Sequence, residues 1–330
     1  MATGGELVDV VSPARTTHCW LARILLLVCA LALLGWTLIP AVRGVSLVAN
    51  RAGRGAPSLS RAAGLPAREV HFAASDGVVL AGWLVMASPD APTVILVHGF
   101  KGNRLSMLPW ARYLYAAGYN TLLYDGRGCG ESAGWGIGVG ASEPADIIGA
   151  TRYLRALPDL RSKRFAALGV SLGAGDVILA AARDSDLQAV IADSPWADEQ
   201  PQLARMGSLA LGPLTLPLLP YEPALVDRLA GARLEDARPT AVAGQIAPRA
   251  LLIITSADDG NTTTAPADQQ RIAAAAGQPI AHWIAPSGGH AGALYAHPAD
   301  YQARTLAFLA QYLGAAYTAR AAMFMDAAKG

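Results

Sequence analysis

The sequence predicts an α/β fold: a mainly parallel sheet with helices on both faces, interrupted by an inserted lid and preceded by one membrane-crossing helix. Three observations carry this reading. From about residue 93 onward, short continuous apolar runs alternate with helical stretches at βαβ spacing, the pattern of strands buried on both faces. At one strand-to-helix junction stands Gly169, Val170, Ser171, Leu172, Gly173, a G-x-S-x-G pentapeptide. Finally, Ile24 to Val42 is an unbroken uncharged run of 19 residues, long enough to cross a bilayer core as a helix.

Composition bounds what these features can belong to. A chain of 330 residues allows one large domain or two small ones, and 53% hydrophobic with 15% charged is rich for a soluble protein. Part of the excess is the run at 24–42, flanked by Trp20, Arg23 and Arg43. It reads as an anchor rather than a cleaved signal peptide, because it exceeds the usual apolar region of a signal and no A-x-A-like site follows. Cys29 follows Leu27 and Val28, so no lipoprotein attachment site is expected. Arg15 and Arg23 precede the run, whereas Arg43, Arg51, Arg54 and Arg61 follow it. That bias favours the cytoplasmic face for what comes after. A net charge of +1 without a basic, aromatic-interleaved cluster gives no sign of nucleic-acid binding. Cys129 is alone beyond the anchor region, so no disulfide within the folded domain is expected.

The expected organisation is a tail over 1–23, the anchor over 24–42 and a linker over 43–67. The folded domain follows over 68–315 with its lid at about 197–247, and a C-terminal tail closes the chain over 316–330. Glu69–Ala73 and Val78–Met86 flank Ser75, Asp76, Gly77, an antiparallel hairpin at the sheet edge. Thr93–Val97 is a buried strand delivering His98, Gly99, Phe100 at its carboxyl end, where α/β sheets hold ligands. Leu105–Ala117 is expected to be helical, Tyr119–Tyr124 a strand and Ala145–Leu157 a helix. After the pentapeptide come a helix over Leu172–Arg183 and a strand over Ala189–Ala192. The Leu-, Pro- and Gly-rich stretch from Leu209 to Tyr221 breaks the alternation, and either shapes a pocket or covers the sheet. The pattern resumes with a strand at Leu251–Thr255, a helix at Ala267–Ala276, a strand at Ile280–Ala285 and a helix at Ala299–Leu313.

Ser171 reads as the nucleophile of a strand-to-helix elbow. A serine that attacks a carbonyl must project its hydroxyl from a sharp turn, where Gly169 and Gly173 leave room for the neighbouring strand and helix. The pentapeptide alone turns up by chance roughly once in six chains of this composition, so its context carries the reading. The partners are sought in the order nucleophile, acid, base. Asp258 and Asp259 both follow the strand Leu251–Thr255; Asp259 is preferred because the Gly260, Asn261 turn can aim its carboxylate, whereas Asp258 suits a cap. His290, in the loop Gly288–Gly292, is the expected base; His297 competes, but Pro298 marks it as a helix start, and His282 lies within an apolar strand. The backbone N–H groups of Leu172 and Phe100 are the expected oxyanion donors. His98 is expected to order its loop, and Asp125 with Arg127 to form an internal ion pair. No H-E-x-x-H or paired C-x-x-C occurs, so neither a metal nor another cofactor is expected.

With these motifs on the page, the chain resembles the α/β-hydrolase family: His98, Gly99, Phe100; Asp125 to Ser132 as D-x-R-G-x-G-x-S; Gly169 to Gly173; the strand leading to Asp259; and Gly289, His290. The resemblance covers roughly residues 68 to 315. Ala247, Pro248, Arg249 before the acid strand look most like amino-terminally anchored bacterial members related to prolyl-oligopeptidase-type domains and acylglycerol lipases. Thr255, Ser256, Ala257 depart from the His, Gly often found before the acid. The resemblance implies that Ser171 attacks an ester carbonyl, His290 accepts its proton and Asp259 holds the imidazole. A membrane-held carboxylesterase or lipase acting on a small-molecule ester is the leading expectation. The alternatives are a prolyl-oligopeptidase-type peptidase, for which 67 leading residues are too few to build the usual large substrate-binding domain, and a non-catalytic binding protein on the same fold.

Overall fold

The computed structural model describes residues 13–50, 55, 58, 62, 64–198, 203, 208–211, 214–217 and 221–314. The first twelve residues of the expected tail, much of the expected linker, parts of the lid and the tail over 316–330 lie outside the described residues. Strands β1 (Ala67–Ala73), β2 (Val79–Val85), β3 (Thr93–Val97), β4 (Asn120–Tyr124), β5 (Phe165–Val170), β6 (Leu187–Asp193), β9 (Ala250–Ser256) and β10 (Ile280–Ala285) form one sheet in the order β1-β2-β4-β3-β5-β6-β9-β10. β2 pairs antiparallel with both β1 and β4, and the remaining pairs are parallel. β7 (Ser208–Leu211) and β8 (Leu214–Pro217) make a separate antiparallel pair within the lid region.

Strands β3, β4, β5 and β9 are buried along their whole length, whereas the edge strand β10 is largely half-buried or exposed, and alternate residues of the central strands feed two cores. Val94 and Leu96 of β3, Ala166 and Leu168 of β5, and Leu252 and Ile254 of β9 face α2 (Leu108–Ala116) and α7 (Pro298–Tyr312). Ile95, Phe165, Ala167, Leu251 and Ile253 face α3 (Pro144–Ala156), α4 (Leu172–Arg183) and α6 (Pro266–Ala275). This period of two on strands covered from both sides is what makes each run continuously apolar in sequence. The chain steps from β3 outward to β4 and then returns to the other side of β3 as β5. The crevice at that reversal opens between the carboxyl ends of β3 and β5, which is where ligands gather in open α/β sheets.

Two local differences from the sequence reading concern the helices. Arg104–Met107 is a 3-10 turn capped by Asn103, whose Oδ1 accepts from Leu105 N at 3.0 Å, so α2 itself begins only at Leu108 with a proline in its first turn. The second difference is larger. Helix α1 runs from Pro13 to Val48, past residue 43 where a linker is expected. Its later turns are held by the domain: Pro40, Gly44 and Val48 are buried, and their spacing of four puts them on one face. They meet α5 (Glu222–Ala230), where Arg43 Nε donates to Glu222 Oε1 at 3.1 Å. The Ile137 N–H donates to Val48 O at 2.9 Å, and Ala49 bridges to Gly136. Gly, Ser, Arg and Pro in this stretch carry no periodic signal because the contacts that order it come from far along the chain.

Candidate active site

Ser171 caps the carboxyl end of β5 with φ 57° and ψ −117°, a left-handed conformation that a non-glycine residue adopts only under constraint. Its N–H donates to Asp193 O on the adjacent strand at 2.9 Å. The flanking glycines explain how the turn closes. A Cβ on Gly169 would lie 2.0 Å from Gly173 O, and one on Gly173 would lie 2.6 Å from Val97 O. Strand, turn and helix approach so closely that no side chain fits, and the hydroxyl is left standing over the β3–β5 crevice.

The loops after β9 and β10 bring two further groups to it. His290 Nε2 lies 2.8 Å from Ser171 Oγ, and its Nδ1 lies 3.1 Å from Asp259 Oδ2. The Asp259 carboxylate is fully buried, and its second oxygen accepts from Asn261 N at 2.9 Å. Asp258 points elsewhere: its Oδ1 accepts the Gly289 N–H at 2.8 Å, and that hydrogen bond holds its carboxyl below the usual range. Of the two acids that fit the sequence, Asp259 is therefore the one beside the imidazole, while Asp258 braces the glycine turn in front of it.

Leu172 is the first residue of α4, where backbone N–H groups have no acceptor within the helix. Phe100 follows β3 and lines the same cavity as Ser171. Gly99 between them is as close as it can be, since a Cβ there would stand 3.2 Å from Ser171 Cβ. His98 turns away from the serine. Its Nε2 accepts from Gly126 N at 2.9 Å, so Nδ1 carries the proton and donates to Gly99 O at 2.8 Å. Burial pulls its pKa down and keeps the ring neutral. His282 lies on β10 with Nε2 2.8 Å from Thr255 Oγ1, and His297 caps α7 with Nε2 3.1 Å from Ser287 Oγ.

The expected Asp125–Arg127 pair is corrected by the structure. Asp125 Oδ2 accepts instead from Arg104 at 2.7 Å, and Arg127 reaches Asp146 at 2.7 Å and Asp76 at 2.8 Å. Each charge of this tight loop thus finds its partner on another element rather than on its neighbour.

Three contributors were not legible in advance. Thr264, buried in the loop after β9, has its Oγ1 2.8 Å from His290 Nδ1 and 3.2 Å from Asp259 Oδ2. Ser194 Oγ accepts from Ala291 N at 3.1 Å and donates to Asp193 Oδ1 at 3.2 Å, tying the His290 loop to β6. Asp193 in turn accepts from Tyr301 OH at 2.9 Å; burial pushes its carboxyl up to about 6. Leu47 of α1 is the third. It lines a cavity of about 520 Å³ together with Phe100, Leu172, Trp196, Ser171 and His290. A Ser-Asp pair at the end of a strand, or a lone Thr in a Thr-rich loop, carries no pattern that marks it. Among the described residues no group of three or more His, Cys, Asp and Glu side chains is arranged to hold a metal ion.

A serine at a strained strand-to-helix turn, with an acid and a histidine on the loops after the later strands of the same parallel sheet, defines the α/β-hydrolase class. Residues 88–280 match the family described as serine aminopeptidase, S33, and the chain belongs to this α/β-hydrolase family. Among curated proteins it is 34% identical over 137 residues to the polyketide transferase grgF of Penicillium sp., covering 41% of this chain and 47% of that one. It is 30% identical over 130 residues to the thiohydrolase aneE of Aspergillus aculeatus, covering 38% and 41%. The chain thus spans less than half the length of these relatives. The solved Pyrococcus furiosus esterase Pf2001 superposes with a TM-score of 0.62 at 21% identity, over 78% of this chain and 97% of that one, which is a likeness of fold.

Proposed function

We propose that the chain is a serine hydrolase that cleaves carboxylic esters through Ser171, His290 and Asp259 and is held to a membrane by α1. The observation that carries the reading is the 2.8 Å approach of His290 Nε2 to Ser171 Oγ with Asp259 on the far side of the ring. In the first half-reaction Ser171 Oγ attacks the acyl carbonyl and His290 Nε2 takes its proton. The carbonyl oxygen becomes an oxyanion facing the N–H groups of Leu172 and Phe100, a contribution of about 10²–10³ in rate per donor. Collapse breaks the ester C–O bond, and His290 returns the proton to the leaving alcohol. Water then attacks the acyl enzyme, giving its proton to His290, and Ser171 departs with it to release the acid.

The family's description names an aminopeptidase, and a pocket for a free amino group calls for an anionic partner. No Asp or Glu is among the described residues lining the cavity, which is walled largely by Leu47, Phe100, Val139, Leu172, Trp196 and Leu203. That lining favours an apolar acyl group. The names of an esterase and a thiohydrolase among its likenesses favour acyl transfer to water as well. For α1, the support is that the stretch from Trp20 to Val48 holds an 18-residue window with a mean hydropathy of 2.5.

The test is fluorophosphonate labelling of the detergent-solubilised chain beside Ser171→Ala, with p-nitrophenyl acetate to octanoate hydrolysis in parallel. Labelling and turnover that both vanish in the variant are expected. A folded wild type that neither labels nor turns over would leave a binding protein on a hydrolase fold as the better reading.

A further inference from the structure

The helix that carries the chain's apolar run also builds its cavity. Trp20 to Ile39 of α1 is exposed along nearly its whole length, with Trp20 62%, Leu26 70% and Leu33 60% exposed. Burial of Pro40 against the domain shifts the span from the expected 24–42 to these residues, about 20 of them. They make about 30 Å of helix, the thickness of a bilayer's hydrocarbon core. Arg23 lies one turn from the end, where a long side chain can snorkel to the headgroups. At Pro40 the same helix meets the domain without a break. One face, Pro40, Gly44 and Val48, is buried there, and Val48 joins an apolar cluster with Ile137, Val139, Val226 and Leu234. A Cβ on Gly44 would lie 3.0 Å from Leu225 Cδ2, which shows how tightly α5 presses on the helix. Polar contacts fix its end: Lys101 Nζ donates to Ser46 O, and Asn50 Nδ2 lies 3.0 Å from Cys129 Sγ.

Leu47, on the adjoining face, is a wall of the cavity that holds Ser171 and His290. It lies seven residues beyond Pro40, about 10 Å along the axis. The headgroup zone on each side of a bilayer is about 5–8 Å deep, the difference between the whole thickness and the hydrocarbon core. A bilayer spanned by Trp20–Ile39 would therefore bring its surface to the cavity mouth. Two exposed aromatics stand where such a surface would lie. Phe100, 44% exposed, neighbours the lysine that holds Ser46, and Trp135, 54% exposed, neighbours the glycine that bridges to Ala49. Aromatic rings favour this headgroup depth.

We infer that the substrate is a bilayer-resident long-chain ester, which enters the Ser171 cavity directly from the membrane surface past Leu47, with the last turns of α1 as a fixed wall of its binding site. This rests on the serine-esterase reading above. The ester group of such a lipid sits where hydrocarbon meets headgroup, so it need move only about 10 Å to reach the mouth. Its chain then exchanges one apolar surrounding for another.

The test uses the full chain reconstituted in phosphatidylcholine vesicles that carry a fluorogenic long-chain diacylglycerol. The same ester is then offered in separate vesicles, with p-nitrophenyl acetate as a water-soluble control. Turnover at least tenfold faster when enzyme and ester share a vesicle is expected. A Leu47→Trp chain that still labels with fluorophosphonate should show a ratio of lipid to acetate turnover at least tenfold lower. Equal rates in shared and separate vesicles, with acetate turned over, would overturn entry from the bilayer and leave the esterase standing. An unchanged ratio in Leu47→Trp would remove α1 from the site. Wild type that hydrolyses neither ester would overturn both readings together.

Discussion

Thr264 Oγ1 stands 2.8 Å from His290 Nδ1, closer than the 3.1 Å from that nitrogen to Asp259 Oδ2. The Nδ1–H is therefore shared between a hydroxyl and a carboxylate, while the threonine donates its own proton to the carboxylate at 3.2 Å. Thr264 is a positioning residue: it fixes the ring rotation and satisfies the buried acid at once. Thr264→Ala should lower kcat about fivefold, the worth of one ordinary hydrogen bond of about 1 kcal/mol, with KM little changed. Thr264→Ser should restore most of it. Equal losses in both variants would point to packing of the methyl group instead.

Asp259→Asn keeps the shape of that acid but removes its charge and its preference for the Nδ1–H tautomer. A fall in kcat of about 10³–10⁴ is expected on a short ester, against a far smaller effect for Asp258→Asn. Comparable losses in the two variants would reverse the assignment of the acid.

Asp193 sets a pH dependence of stability. Its carboxyl is pushed from 3.8 up to about 6 by burial, so the folded chain holds the proton more tightly than the unfolded one. Stability from this group is thus greatest below about 4, falls as pH rises through 6 and is level above. Asp146, also buried and raised to about 6, contributes in the same direction. Asp193→Asn should make the change in Tm between pH 4 and 6 measurably shallower, and an unaltered slope would mean the carboxyl does not titrate there.

Arg127 neutralises Asp146 inside the protein and reaches Asp76 at its rim. Arg127→Met removes the partner of a buried carboxylate and should cost about 3–5 kcal/mol in denaturant unfolding at pH 7. The double variant with Asp146→Asn should recover a good part of that loss. Failure of the double variant to improve on the single one would show that the cost lies in the guanidinium's own packing.

The elbow predicts a steric outcome. Gly173→Ala pushes a methyl against Val97 O and His98 O, at 2.6 and 2.7 Å, and both are backbone atoms of a central strand end that cannot step aside. A loss of about 3 kcal/mol, or roughly 6–12 °C in Tm for a domain of this size, is expected. A fully stable, active variant would mean that the turn is looser than its contacts imply.

Much of this architecture is written locally. Thr93–Val97 and Leu172–Arg183 are observed at the residues where the sequence puts them, because a strand buried on both faces and a helix opening on Gly173 each leave a continuous signature in a few residues. Ser171 shares that legibility, and the order of the later strands brings Asp259 and His290 within its reach. What sequence could not supply was partner choice. Asp125 pairs with Arg104 rather than Arg127, and Thr264 and Ser194 owe their roles to loops that meet only in three dimensions. The continuation of α1 past Arg43 belongs with these. Gly44 and Ser46 look like linker until Leu225 and Lys101 are seen against them.

The bond between Arg43 and Glu222 joins residues 179 positions apart. At about 5–20 residues per second, Glu222 leaves the ribosome about 10–40 s after Arg43. By then the apolar turns ahead of Arg43 have long been made, and every strand of the sheet up to β6 has emerged. The lid helix therefore arrives at a seat that has been waiting for it, and the two ends of this contact meet only when about two thirds of the chain has been synthesised. Birth order thus makes the turn of α1 that carries Leu47 the first wall of the cavity to be synthesised and the loop of His290 and Ala291 the last.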